Sequence, residues 1–262
     1  MENPYASVII LTMGKPLKVL QCLENQTFKD FEVIIASEKG IVPAMNAALA
    51  RAKGEIFVRV DDDVSIPGGW LEELMKPFLD PRVAGVTGPT FVPWERRTYR
   101  DSIRIWENPN WFLRWLTDGM KFNPAGIYRC GMASYDSNYA ERFYPNMPMS
   151  EPEHLEGTNW AMRTELIRQV GGFDPVFDGV AEWFDTDVEQ KIKKLGYILR
   201  YNPKAHLVHL LEIGDNFNER FEGLGRMDNW LRFHRRHSKF HWKMIIYLIL
   251  WGLYFLKKGV RM

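Results

Sequence analysis

Short apolar runs and longer mixed stretches alternate along the first third of the chain. Ser7–Leu11 (Ser-Val-Ile-Ile-Leu), Phe31–Ala36 (Phe-Glu-Val-Ile-Ile-Ala) and Glu55–Val60 (Glu-Ile-Phe-Val-Arg-Val) are rich in β-branched residues and predict buried strands. Between them, Lys15–Gln26 carries Leu17, Leu20 and Leu23 with Val19 and Cys22 alongside, and Val42–Ala52 is rich in Ala, Leu and Met. Both stretches predict helices. Strand, helix, strand, helix, strand at this spacing implies crossover connections and a parallel sheet. Pro67-Gly68-Gly69 then predicts a turn, Trp70–Leu79 a helix and Val83–Thr87 a fourth strand.

The period is lost between residues 91 and 155, where Trp94, Trp106, Trp111 and Trp115 stand among many Arg, Asn and Pro. A stretch of that length inside a domain predicts a functional insertion or lid. Regularity returns with a helix over Thr164–Val170 closed by Gly171-Gly172. A helix over Asp185–Leu195, stopped by Gly196, and strands at Tyr197–Tyr201 and His206–Leu210 follow. From about Asn216 the character changes again: Arg232, His234, Arg235, Arg236, His237, Lys239 and Lys243 precede the uncharged run Met244–Leu256. As a helix that run would be about 20 Å long at ~1.5 Å per residue, against a bilayer core of about 30 Å, so it is too short to span alone. Its basic approach and its Trp242, Tyr247, Trp251 and Tyr254 fit an interfacial membrane anchor. A helix docked on the domain and an oligomer interface are the other readings. The expected organisation is therefore one domain over 1–215, with an aromatic insertion at 91–155, and a helical tail over 216–262.

Composition narrows this only modestly. At 262 residues, with 46% apolar and 26% charged, the chain suits one sizeable domain with a substantial core. A net charge of +1 gives no general attraction to nucleic acid. Cys22 and Cys130 are far apart and match no metal-ligand spacing, which predicts free thiols in a reducing compartment. Met1–Ala6 shows no basic stretch leading into an apolar run, so a cytoplasmic location is expected.

The chemistry centres on Asp61-Asp62-Asp63, directly after the third strand. Ligands of open parallel sheets bind beyond the carboxyl ends of strands. Adjacent carboxylates raise one another's pKa, and a divalent cation removes that conflict; oxygen ligands suit Mg2+ or Mn2+. Such a cation stabilises a departing diphosphate. A solvated acidic turn is the alternative reading of the triplet alone.

In order along the chain stand Thr12 after the first strand, Gln26-Thr-Phe-Lys-Asp-Phe-Glu-Val-Ile-Ile35, Met45-Asn46-Ala47, Gly54-Glu55, Asp61-Asp62-Asp63, Ile66-Pro67 and Trp70-Leu71. Then come Glu156-Gly157-Thr158-Asn159-Trp160-Ala161-Met162-Arg163, Val170-Gly-Gly-Phe-Asp-Pro175, Phe184-Asp185-Thr186-Asp187, Leu195-Gly196-Tyr197 and Asn202-Pro203-Lys204-Ala205 leading to His209. This series resembles the inverting family 2 glycosyltransferases, over roughly residues 6–95 and 155–210. The resemblance implies the GT-A nucleotide-diphospho-sugar transferase fold: α/β, with a mainly parallel Rossmann-like central sheet flanked by helices, here carrying a C-terminal helical, membrane-interfacial appendage.

It also implies roles. Asp61 and Asp63, with His209, would hold Mn2+ or Mg2+. Thr12, Glu38, Asn46, Asp61 and Asp62 would bind a UDP- or GDP-sugar. Glu156, Gly157, Thr158, Asn159, Trp183, Asp187 and Trp94 would face the acceptor, a glycan or lipid-linked sugar. Asp185 would be the general base that deprotonates the acceptor hydroxyl. Taken by itself, Asp185 is equally a helix N-terminal carboxylate, His209 a packed strand histidine, and the insertion's Trp residues either sugar platforms or a local apolar cluster. Two departures stand out: Ser37-Glu38 replaces the family's Asp-Asp after the second strand, and Phe184 replaces the Glu of its Glu-Asp motif. A polyprenyl-phosphate glycosyltransferase and a non-catalytic sugar- or membrane-binding protein of the same fold are the competing functions.

Overall fold

A computed structural model describes residues 3–12, 14, 17–93, 95, 110–119, 124–134, 141, 144–179, 181–211 and 223–257. The expected opening is present: β1 (Ala6–Leu11), α1 (Lys18–Glu24), β2 (Phe31–Ala36), α2 (Ile41–Arg51) and β3 (Ile56–Asp61). β1 pairs in parallel with β2 and with β3, so Leu11 lies beside both Ala36 and Asp61. Residues alternate across this sheet as a strand requires. Ile9 and Phe57 enter one apolar core, while Val8, Ile10, Ile56, Val58 and Val60 enter the other.

The chain continues through β4 (Val64–Ser65), α3 (Trp70–Met75), a 3-10 turn (Lys76–Leu79), β5 (Val83–Thr87) and β6 (Thr90–Phe91). The helix expected over 70–79 thus tightens at Lys76, next to Pro77, which has no N–H to continue the α ladder. The insertion holds α4 (Trp111–Leu116). Then follow β7 (Asn159–Arg163), α5 (Thr164–Gln169), α6 (Phe184–Lys194), β8 (Ile198–Tyr201) and β9 (Leu207–His209).

The main sheet runs β2-β1-β3-β7-β5-β8. Its one surprise is β7, which lies between β3 and β5, antiparallel to both. The family resemblance marks 156–163 as a ligand-facing segment. Asn-Trp-Ala-Met-Arg has neither β-branched residues nor alternation, because all but Arg163 are buried, so no pattern announced a strand. A second small sheet, β4-β9-β6, stands beside it.

The tail divides into two helices with different surroundings. α7 (Gly223–His237) docks on the domain: Phe233 is part of the main core, and Trp230 Nε1 donates to the Gly131 carbonyl at 2.8 Å. Two basic residues of this helix reach back to the domain. Arg236 Nη1 and His237 Nε2 lie 3.2 and 2.8 Å from Asp187 Oδ1, and Lys191 Nζ lies 2.7 Å from Asp187 Oδ2. Arg236 also reaches Asp174 at 2.8 Å. α8 (Lys243–Lys257) packs Met244, Ile246 and Tyr247 inward but leaves Ile245, Ile249 and Leu253 exposed. Among the described residues no helix is long and apolar enough to cross a membrane. Cys22 and Cys130 are unpaired.

Asp187 is therefore the clamp between α6 and α7. Burial alone would raise its pKa, but hydrogen bonds from His237, Lys191 and Arg236 hold it down at about 2. Asp187→Asn is expected to cost about 2 kcal/mol, less than a fully buried pair because Arg236 and Lys191 reach solvent. For a chain of this size that lowers the thermal midpoint by roughly 4–8 °C. The sign with pH follows from the depressed value. The wild-type advantage is complete above the ordinary carboxylate pKa and disappears as pH falls through about 2. Melting curves of both proteins against pH test this; parallel curves at every pH would refute the clamp.

Candidate active site

Because β1, β2 and β3 are parallel, their carboxyl ends share one edge of the sheet. Thr12, Glu38 and Asp61–Asp63 all follow those ends. Asp61 closes β3, and Asp62 and Asp63 form the turn into β4. β4 pairs antiparallel with β9, with Val64 opposite His209, and the Leu210 N–H donates to the Asp63 carbonyl at 2.9 Å. The second sheet thus brings His209 to the aspartates. One ligating atom each from Asp61, Asp63 and His209 lie within 4.8 Å of one another. His209 Nε2 is 3.1 Å from Asp63 Oδ1 and 3.9 Å from Asp61 Oδ2. Burial would lower the imidazole pKa; the hydrogen bond to Asp63 and the charges of both aspartates outweigh it and raise the pKa. Two carboxylates and one imidazole at this spacing could hold a divalent cation.

Arg59 ties this cluster to the start of α6. It lies two residues before Asp61 on β3 and so faces the same side of the sheet. Its Nη2 donates to Asp61 Oδ1 and its Nη1 to Asp185 Oδ2, each at 3.3 Å. The guanidinium also lies 5.5 Å from the centre of the Phe184 ring. Arg59 is 6% exposed and Asp185 7%, so neither charge is solvated and each depends on the other. Burial raises the Asp185 pKa, and Arg59 and the Thr186 N–H oppose that rise. Arg59 is not among the site residues expected from the sequence. The signal was present, since a lone arginine in a strand as apolar as Ile-Phe-Val-Arg-Val requires carboxylate partners.

The profile of glycosyl transferase family 2 matches residues 17–171, more than half of the chain. The chain belongs to glycosyl transferase family 2. Over 171 residues it is 29% identical to the pre-mycofactocin glycosyltransferase of Mycobacterium tuberculosis, a match covering 65% of this chain. The chain spans about 30% of the length of that curated relative. Among solved structures it is similar to the mannosyltransferase PcManGT from Pyrobaculum calidifontis in complex with GDP-Man and Mn2+, with TM-score 0.56 and 17% identity, over 92% of this chain and 67% of that one. It is also similar to GalNAc-T7 with UDP, GalNAc and Mn2+, with TM-score 0.55 and 13% identity, over 89% of this chain and 48% of that one. At these identities the likeness is one of fold, and that fold is the expected GT-A architecture.

The remaining expected site residues of this family 2 chain divide into two groups. Gly157 faces the site: a Cβ there would lie 3.8 Å from Asp185 Oδ2 and 3.9 Å from Arg59 Nη1. Beside it, Glu156 is buried and the buried Thr158 hydroxyl has no hydrogen-bond partner among the described residues. Trp183, immediately before α6, holds a left-handed φ of 72° and stacks on Phe233 with ring centroids 4.5 Å apart. A bulky residue in that conformation costs about 1–3 kcal/mol, and the strain sits two residues from Asp185.

The other group is engaged elsewhere. The Asn159 amide nitrogen donates to the carbonyls of Gly88, Pro89 and Ala205, and its oxygen accepts from Trp70 Nε1 at 2.9 Å. It pins β7 to its neighbours. Asn46 exchanges two hydrogen bonds with the Phe173 backbone, at 2.7 and 3.0 Å. It thereby holds the turn in which Gly172 has a φ of 72°. Glu38 is exposed and 3.5 Å from Arg51. Asp187 is the α6–α7 clamp. Trp115 packs on Trp242, just before α8, and on Lys243 of α8, so its ring belongs with the tail. Trp94 and Trp106 lie outside the described residues.

Proposed function

We propose that this chain transfers a sugar from a nucleotide-diphospho-sugar to a hydroxyl of a glycan or lipid-linked acceptor, inverting the anomeric carbon. The observation that carries the reading is the Arg59 guanidinium, shared between Asp61 of the Asp-Asp-His cluster and Asp185. A donor's diphosphate at the cluster and an acceptor hydroxyl at Asp185 would then be held on opposite sides of one rigid cation. Asp185 takes the hydroxyl proton, the acceptor oxygen bonds to the anomeric carbon, and the nucleoside diphosphate leaves with the electrons of the broken bond. Asp61, Asp63 and His209 would hold Mn2+ or Mg2+, which when bound supplies positive charge to the diphosphate.

Thr12, Glu38 and Asp62 would line the nucleotide side, with a UDP- or GDP-sugar as donor; the fold neighbours carry GDP-Man in one case and UDP in the other. The strip Glu156–Thr158 and the ring of Trp183 would face the acceptor. The tail would rest on the inner face of the membrane through the exposed side of α8, near a lipid-linked acceptor. That exposed side favours one second reading, transfer to a polyprenyl phosphate, whose oxygen is already anionic and needs no base.

A thermal-shift screen of nucleotide diphosphates and nucleotide-sugars with Mn2+ tests the donor assignment. A cognate ligand at about 100 times its Kd stabilises by about 2.7 kcal/mol, or roughly 5–11 °C here. If every nucleotide leaves the midpoint unmoved, the nucleotide-sugar donor is ruled out.

A further inference from the structure

We infer that a pocket formed where the end of α6 meets the α7–α8 connection binds the phosphate of an anionic lipid headgroup. The inference rests on reading the tail as a membrane-surface element. The pocket has a volume of about 400 Å3, within the range of small-molecule sites. Arg129, Lys193 and Lys239 line it, with Glu153 as the one carboxylate; Gln190, which donates to the Glu153 carbonyl at 2.7 Å, and Ser238, whose Oγ is 2.6 Å from His234 Nδ1, line it too. Glu153 already accepts the Ile127 N–H at 2.6 Å, and Arg129 Nε lies 2.9 Å from Asp118. Lys193 and Lys239 form no ion pair among the described residues. Two unpaired ammonium groups at one cavity are suited to an anion. Lys193 is eight residues beyond Asp185 on α6, about 12 Å at ~1.5 Å per residue, so the pocket is separate from the catalytic edge.

What identifies the anion as a lipid's is the surface next to it. Phe240 lines the same pocket and is 74% exposed. Trp242, Ile245, Ile249 and Leu253 continue from it, exposed and spaced three or four residues apart on one face of α8. Residues 229–262 contain eight Lys and Arg and no Asp or Glu, in a chain whose net charge is only +1. An apolar face beside a cationic stretch is the composition of an element lying in a headgroup layer. Seated there, α8 would face the acyl chains while the pocket opens at headgroup depth.

The test measures binding of the full chain to vesicles of phosphatidylcholine alone and of phosphatidylcholine with phosphatidylglycerol. The double variant Lys193→Gln/Lys239→Gln is expected to lose roughly 30-fold in affinity for the anionic vesicles, the effect of two charges near the surface. It should keep the binding to neutral vesicles and the transfer rate to a soluble acceptor. Arg232→Gln/Arg235→Gln removes two cations of α7 that do not line the pocket, one of them already paired with Asp228, and should lose clearly less affinity than the pocket variant. Equal losses for the two variants would overturn the pocket and leave a diffusely charged membrane surface. No binding to either vesicle would overturn the membrane reading together with the pocket. Inorganic phosphate alone separates the remaining source. If it raises the midpoint of the wild type but not of Lys193→Gln/Lys239→Gln, while vesicle binding ignores the substitutions, the ligand is a free phosphate group and the lipid assignment falls.

Discussion

Asp185→Asn is expected to lower kcat by about 10^2 to 10^4-fold, the usual contribution of a general base. The amide keeps the size of the carboxylate, but its single oxygen can accept from only one of the two groups that bond Asp185, Arg59 on Oδ2 at 3.3 Å and the Thr186 N–H on Oδ1 at 2.9 Å. It cannot take a proton. Donor binding at the aspartate cluster should therefore survive, and a nucleotide-induced rise in the thermal midpoint of the variant shows that it is folded and loaded. The pH profile gives an independent readout. Burial raises the Asp185 pKa above the ordinary carboxylate value, against the pull of Arg59. The base works only when ionised, so the wild-type rate should fall as pH drops through that raised pKa. The residual rate of the variant should lack this limb. Unchanged turnover in Asp185→Asn would discard the base and favour an acceptor that is already an anion.

Removing the divalent cation is expected to reduce transfer by at least about 10^3-fold, since neutralising a departing diphosphate is worth several kcal/mol of barrier and each 1.36 kcal/mol is tenfold. EDTA should abolish the activity and Mn2+ should restore it. Asp63→Ala should copy the effect of EDTA without rescue. Asp63 is the better probe than Asp61, because Asp61 also accepts from Arg59 and its loss would disturb Asp185 as well. Binding provides a readout apart from rate: Mn2+ should raise the melting midpoint of the wild type and leave that of Asp63→Ala unchanged. Full activity of the EDTA-treated enzyme, with no Mn2+ shift, would remove the metal from the account.

The legible parts of this fold were those with a local signal. The runs before Thr12, Ser37 and Asp61 are β-branched, so three strands and their shared edge followed directly, but β2 is the edge strand and leaves Val33 and Ile35 exposed where the pattern predicted burial. The helices between them followed from apolar spacing. β7 was hidden because Asn159–Arg163 is almost wholly buried and alternates nothing, although it is the strand that joins β3 to β5. Asn46 and Asn159 look like polar ligand contacts in sequence, and both turned out to hold backbone. An amide has the same appearance in a motif whether it binds a sugar or three carbonyls.

The sequence by itself therefore determined the α/β layering, the acidic turn at the end of β3 and the presence of a cationic, apolar tail. These are consequences of which side chains must leave water and of what a strand's end exposes. Only the tertiary structure decided the pairing of charges. Arg59 meets Asp185 across 126 residues, His209 reaches Asp63 through a strand pairing, and Asp187 spends its charge on Arg236 and His237 of the tail. The reason is physical: hydrophobic periodicity is written in near neighbours, whereas a buried charge is satisfied by whichever partner the folded chain carries to within about 3 Å.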